Sequence, residues 1–224
     1  MSDPDDSLHA GQPLLTAGAP LGPGVGAMIL VHGRGADASD ILAMTGTLGR
    51  RDFAYLAPQA AGGSWYPRSF LAPLPANEPW LSSALARLGG VLEHLDRAGV
   101  PAERTILLGF SQGACLALEH AARNARRYGA VVGLSGGLIG APGTSRDYPG
   151  SLAGTPVLLG CSDRDPHVPE GRVHETARVL AALGGEVDER IYPGLGHLIN
   201  DDEVDAVREL MARLEPVVHP APLP

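Results

Sequence analysis

TILLGFSQGACLAL, Thr105–Leu118, is the stretch that decides how this chain folds. Its first residues form an almost continuous apolar run, as a buried parallel strand does, and from Gln112 onward the apolar spacing turns helical. Between the two lies Gly109-Phe110-Ser111-Gln112-Gly113, a G-x-S-x-G motif in the strand–turn–helix context that gives the motif meaning. A serine at so sharp a turn sits in a strained backbone conformation. Side chains at Gly109 and Gly113 would collide across it. The strain pushes the Ser111 hydroxyl out at the carboxyl edge of the sheet, where open α/β sheets place their sites. The helix N-terminus behind it offers free N–H groups and the positive end of a dipole to a developing oxyanion. Ser111 is therefore a candidate nucleophile; the plainer alternative is a glycine-rich turn with an idle serine.

Working outward, the same alternation runs through the chain. Residues 27–31, 53–57, 105–109, 130–134, 156–160 and 187–192 read as strands, and 39–50, 80–98, 112–127, 170–183 and 202–214 as helices. Strand–helix alternation over this length predicts an α/β fold: a doubly wound, mostly parallel sheet with helices on both faces and no large cap domain. Glu93 and Arg97 are spaced as a surface ion pair, and Gly99 followed by Pro101 stops their helix. Residues 1–24 read as a partly flexible N-terminal segment with an edge strand near 14–17, residues 25–215 as one domain, and 216–224 as a tail. One connection is anomalous. Gln59–Pro79 spends about 20 residues joining a strand to a helix, against the usual two to six, and carries four prolines and three of the ten aromatics. Trp65, Tyr66 and Phe70 are accordingly expected to line the substrate site, the alternative being that they only pin the loop to the core.

Composition removes several chemistries. All 17 basic residues are arginine. Without lysine there can be no Schiff base, pyridoxal anchor, Ser–Lys dyad or P-loop lysine. The net charge of -8, with no basic cluster, argues against nucleic acid. Cys115 and Cys161 lie in apolar runs and read as small packing residues rather than a disulfide framework. No signal peptide and no membrane-length apolar run is visible, so a cytoplasmic protein without stable membrane insertion is expected. The sequence is compatible with a homodimer.

A serine hydroxyl needs a base, and the base an orienting acid, in this architecture in the order Ser, Asp or Glu, His. His197, in the glycine-rich PGLGH loop after the last strand, lies at the same sheet edge as Ser111. His167 is the rival; His120 and His174 fall within helices and His219 in the tail. SDRDPHVP, residues 162–169, supplies two candidate acids, Asp163 and Asp165, which spacing alone does not separate. The other of the two is free to pair with Arg164 or cap the turn. Asp201 and Asp202 read as caps of the last helix. Upstream, Met28–Val31 runs into His32-Gly33-Arg34-Gly35, whose glycines let backbone amides face the cleft. The amides of Arg34 and Gln112 are the expected oxyanion donors, with His32 supporting the loop. No histidine or cysteine spacing suits a metal, and no cofactor is expected. Arg34, Arg68 and Arg164 flank the expected cleft mouth; solvated surface arginines are the plain reading, selection of an anionic substrate the alternative.

Together H-G-R-G, G-F-S-Q-G, D-P-H-V-P and G-L-G-H resemble the phospholipase/carboxylesterase family of α/β-hydrolases, which includes the acyl-protein thioesterases. The resemblance runs from about residue 28 to 214. It implies Ser111 as nucleophile, His197 as base and Asp165, immediately before Pro166, as the acid. Members commonly carry leucine where this chain has Arg34, which weakens the expectation of a long-chain acyl substrate. The implied activity is hydrolysis of a small-molecule carboxylic ester of short to medium acyl length through an acyl-enzyme. The alternatives are a thioesterase or lysophospholipase using the same triad, or a hydrolase fold kept only as a binding module.

Overall fold

The computed structural model describes residues 8–214, so the expectations for residues 1–7 and 216–224, His219 included, lie outside the described residues. Seven strands form one sheet: β1 (Leu14–Gly18), β2 (Gly26–Val31), β3 (Phe53–Pro58), β4 (Thr105–Phe110), β5 (Ala130–Leu134), β6 (Pro156–Ser162) and β7 (Glu186–Tyr192). Their spatial order is β1-β3-β2-β4-β5-β6-β7. Only β1 runs antiparallel, against β3; every other pair is parallel. Among the described residues six α-helices flank the sheet: α1 (Ala38–Leu42), α2 (Met44–Leu48), α3 (Trp80–Arg97), α4 (Gln112–Arg123), α5 (Glu170–Ala182) and α6 (Asp201–Ala212).

The two-residue period of the strands feeds two cores. Along β2, Ala27, Ile29 and Val31 face one layer, packed with Leu88 and Leu95 of α3, Leu116 and Leu118 of α4 and Leu180 of α5. Met28 and Leu30 face the other, with Ile41 of α1, Leu48 of α2 and Val207 of α6. Because both faces are covered, β2, β3, β4, β5 and β6 are buried along nearly their whole length, which is why they read as unbroken apolar runs. β7, at the sheet's edge, is polar and partly exposed.

Four details differ from the sequence expectation. The helix expected over 39–50 is two short ones meeting at Ala43, and Gly49 at φ 71° ends the second. The helix from Gln112 stops at Arg123, because Asn124 leaves helical geometry while its backbone and side-chain N–H groups both donate to the His120 carbonyl at 3.0 Å. Arg97 donates to the Glu93 backbone carbonyl, not to its carboxylate. The cap of α6 is Asn200 in a reciprocal capping box with Glu203, which leaves Asp201 and Asp202 in the first turn.

Candidate active site

Ser111 joins β4 to α4 at φ 57°, ψ −120°, a positive φ that a non-glycine residue holds only under constraint. The flanking glycines have no alternative. A Cβ at Gly109 would lie 2.2 Å from the Gly113 carbonyl oxygen, and one at Gly113 would lie 2.1 Å from that of Val31. The turn thus presses against the neighbouring strand and aims the serine outward.

His197 Nε2 lies 2.8 Å from Ser111 Oγ, and His197 Nδ1 lies 2.7 Å from Asp165 Oδ2. Since Nδ1 faces a carboxylate, it carries the proton and leaves Nε2 free to accept from the serine. The other oxygen of Asp165 accepts the amides of His167 and Val168 at 2.8 and 3.0 Å. Burial pushes the Asp165 carboxyl up, but His197 and these two amides outweigh it and hold it below its ordinary value. The group is a fixed anion whose partners set its direction.

Asp163 sits two residues away and does something else. Its Oδ1 accepts from the Gly194 amide at 2.7 Å, while Ser162 Oγ accepts from the Gly196 amide at 3.0 Å. The pair braces the glycine-rich loop that carries His197, a role that neither the pairing with Arg164 nor the turn cap anticipated. His167 turns its ring edge-on to His197, with centroids 4.8 Å apart, and lines the cleft without meeting Ser111.

Ser111 opens into a cleft of about 700 Å³, bordered by Tyr66 and Phe70 from the long loop, Phe110 from the end of β4, and Val168. Trp65 does not border it. That ring is fully buried, donating from Nε1 to the His32 carbonyl at 2.9 Å, and so pins the loop to the core. His32 is fixed in turn: Nε2 accepts from the Ala60 amide, so Nδ1 donates to the Gly33 carbonyl. The backbone amides of Arg34 and Gln112 have no hydrogen-bond acceptor among the described residues. Arg34 is not merely a solvated surface residue, because its guanidinium donates to four oxygens of residues 64–68. Arg68 borders the cleft; Arg164 does not.

His9 is a member of this neighbourhood that sequence reasoning missed. It is fully buried, accepting from the Ala61 amide at Nδ1 and lying 3.1 Å from the Trp65 carbonyl at Nε2, so an N-terminal residue ties down the loop beside the cleft. No periodicity marks it; a lone histidine in a polar segment carries no pattern. Among the described residues no group of three or more His, Cys, Asp or Glu could hold a metal ion. Cys115 and Cys161 are free and buried, and burial pushes both thiols up to about 12.

A serine on a strained strand–helix turn, faced by a histidine after the last strand and an aspartate after the one before it, on a mostly parallel sheet, is the arrangement of the α/β-hydrolases. Within that class the chain belongs to the phospholipase/carboxylesterase family, whose model matches residues 19–214. A phospholipase/carboxylesterase of known structure from Dyadobacter fermentans is 40% identical, with a TM-score of 0.86, over 90% of this chain and 97% of that one. Esterase PE8 is 27% identical with a TM-score of 0.71, over 91% of this chain and 98% of its own. Acyl-protein thioesterase 1 of Gibberella zeae is 31% identical over 125 residues, 53% of this chain and 52% of that protein. The chain spans about half the length of the curated relatives it matches. No helix among the described residues is long and apolar enough to cross a membrane.

Proposed function

We propose that the chain is a serine hydrolase that cleaves carboxylic esters of short to medium acyl length through an acyl-enzyme. One observation carries this reading: the unbroken line from Ser111 Oγ through His197 to the anionic Asp165, at 2.8 and 2.7 Å. In the proposed mechanism His197 Nε2 takes the Ser111 proton as Oγ bonds to the ester carbonyl carbon. The carbonyl electrons move onto oxygen, where the Arg34 and Gln112 amides receive the charge. Collapse breaks the bond to the alkoxide leaving group, which takes the proton from His197. Water then repeats the sequence on the acyl-serine: His197 takes its proton, the acid leaves and Ser111 Oγ is reprotonated. Tyr66 and Phe70 serve as the apolar wall for the acyl or alcohol portion.

The cleft supports the length preference, since among the described residues no helical cap extends it beyond the loop that carries Tyr66 and Phe70. Replacing Ser111 with Ala is expected to lower kcat by about 10⁴-fold or more and to abolish labelling by a fluorophosphonate. Near-normal turnover in that variant removes the assignment. A second reading, thioester cleavage by the same residues, is favoured by the likeness to acyl-protein thioesterase 1. Comparing kcat/KM for matched oxygen and sulfur esters over a range of acyl lengths separates the two. A cytoplasmic setting is part of the proposal, and the two buried free cysteines suit a reducing compartment.

A further inference from the structure

A single carbonyl oxygen, that of Tyr66, accepts hydrogen bonds from three side chains. Arg34 Nη2 donates at 2.8 Å, Gln112 Nε2 at 2.8 Å and Ser64 Oγ at 2.9 Å. Two of these donors belong to the residues whose backbone amides are the proposed oxyanion hole. Those two peptides lie on different elements, one in the loop after β2 and one at the first turn of α4. Pairing of β2 with β4 sets their separation only to the tolerance of the sheet. Their side chains close that remaining freedom by converging on one acceptor.

The rest of the Arg34 fork fixes the same segment. Nη1 donates to Ser64 Oγ at 2.9 Å and to the Pro67 carbonyl at 3.2 Å, and Nη2 also donates to the Arg68 carbonyl at 2.7 Å. The guanidinium carbon stands 5.9 Å over the Tyr66 ring. Gln112 returns the hold, its Oε1 accepting the Trp65 amide at 3.0 Å. Every acceptor of the guanidinium is a neutral oxygen, so the contact is a geometric fork and not an ion pair. A leucine at this position could make none of these bonds.

We propose that the Arg34 side chain is a positioning residue: through the Tyr66 carbonyl it fixes the Arg34 and Gln112 amides against each other and holds residues 64–68 as the wall of the cleft. The inference rests on the hydrolase reading above. It takes the fork, rather than the charge alone, as the working feature. An ammonium at this position keeps the charge but cannot reach four acceptors spread over five residues.

Steady-state kinetics of the full chain on a 4-nitrophenyl ester, with Arg34→Met and Arg34→Lys, test it. Both variants are expected to lose about 10- to 100-fold in kcat, the scale that misplaced oxyanion donors command. KM should stay within about threefold, since ground-state binding is not what the amides supply. Affinity for phenylboronic acid, which forms a tetrahedral adduct on Ser111, should fall by the same factor as kcat/KM. Arg34 is exposed, so the thermal midpoint should move by only a few degrees. In Arg34→Ala, added guanidinium ion at non-denaturing concentration should restore part of the lost kcat. Full activity in Arg34→Lys, unchanged boronate affinity in Arg34→Met, or a loss that tracks thermal unfolding overturns the proposal. A wild-type chain that neither turns over esters nor takes a fluorophosphonate on Ser111 overturns the hydrolase reading and this one with it. An active wild type with unaltered Arg34→Met kinetics overturns this one alone.

Discussion

Asp163 and Asp165 stand two residues apart on the turn after β6, and the direction of each carboxylate assigns it a different task. The Asp165 carboxylate is buried behind His197 and takes one oxygen to the ring and the other to two backbone amides. Asp163 is exposed and points at the Gly194 amide. Asp165→Asn removes the anion that selects the His197 tautomer, and kcat should fall by about 10³- to 10⁴-fold. Asp163→Ala leaves the hydrogen-bonded line intact and loosens only the loop that holds the ring, for an expected loss of about tenfold. Initial rates of the two purified variants on one ester check the order, and a larger loss in Asp163→Ala would exchange the two roles. The proximity of these two carboxylates in sequence is why spacing left them unresolved. The decision lies in three amides, those of His167, Val168 and Gly194, whose directions no composition reveals.

Among the elements, the junction between the loop carrying His197 and helix α6 joins stability to the site. Asn200 Oδ1 accepts from the Glu203 amide at 2.8 Å, and Glu203 Oε2 accepts from the Asn200 amide at 2.9 Å. Asn200→Ala removes half of this box and should cost about 1 kcal/mol, a fall of roughly 2–4 °C in Tm for a chain of this size. Calorimetry reads it directly; an unchanged Tm means the cap contributes nothing. The acidic run after Asn200 obscured it in the sequence, because Asp201 and Asp202 have equal capping preference and only the backbone selects among the three. Strands β2 to β6 were legible because burial on both faces leaves an unbroken apolar run. The G-x-S-x-G turn was legible because its two glycines are demanded by contacts near 2 Å. The loop from Gln59 to Pro79 was legible as an anomaly of length, but not in its detail. Trp65 and Tyr66 are adjacent and both buried, yet only Tyr66 borders the cleft. The split at Ala43 and the anchoring His9 were illegible for a related reason, since short segments held by tertiary contacts carry little period of their own.

Across the whole molecule the balance of buried ionisable groups sets how stability responds to acid. The side-chain cations that titrate below pH 8 are histidines, and among the described residues three of them are buried as neutral rings. Burial lowers His9, His32 and His120, the last to about 4. Each takes up a proton in the unfolded chain before it does in the folded one, so each contributes stability above pH 6.5 that is lost as the pH falls toward the folded value. Glu203 runs the other way. Burial raises it to about 7, so the folded state holds its proton and stability from this group is lost as the pH rises through 7. The exposed His174, raised by Glu189, adds a solvent-screened contribution of that same sign. Acidification from pH 7 to pH 5 therefore draws stability from the three buried histidines while Glu203 and His174 return some of it, so the share of any one group is read from a variant against the wild type. Of the three histidines His120 is shifted furthest, because it is 3% exposed on α4 and its Nδ1 has no partner among the described residues. A fall from 6.5 to about 4 corresponds to about 2 kcal/mol between pH 7 and pH 5. Urea unfolding at the two pH values, for the wild type and for His120→Leu, measures that share. The variant should lose about 2 kcal/mol less than the wild type over the interval, with little change in the slope against denaturant. If both chains lose the same amount, the acid sensitivity of this fold resides outside α4.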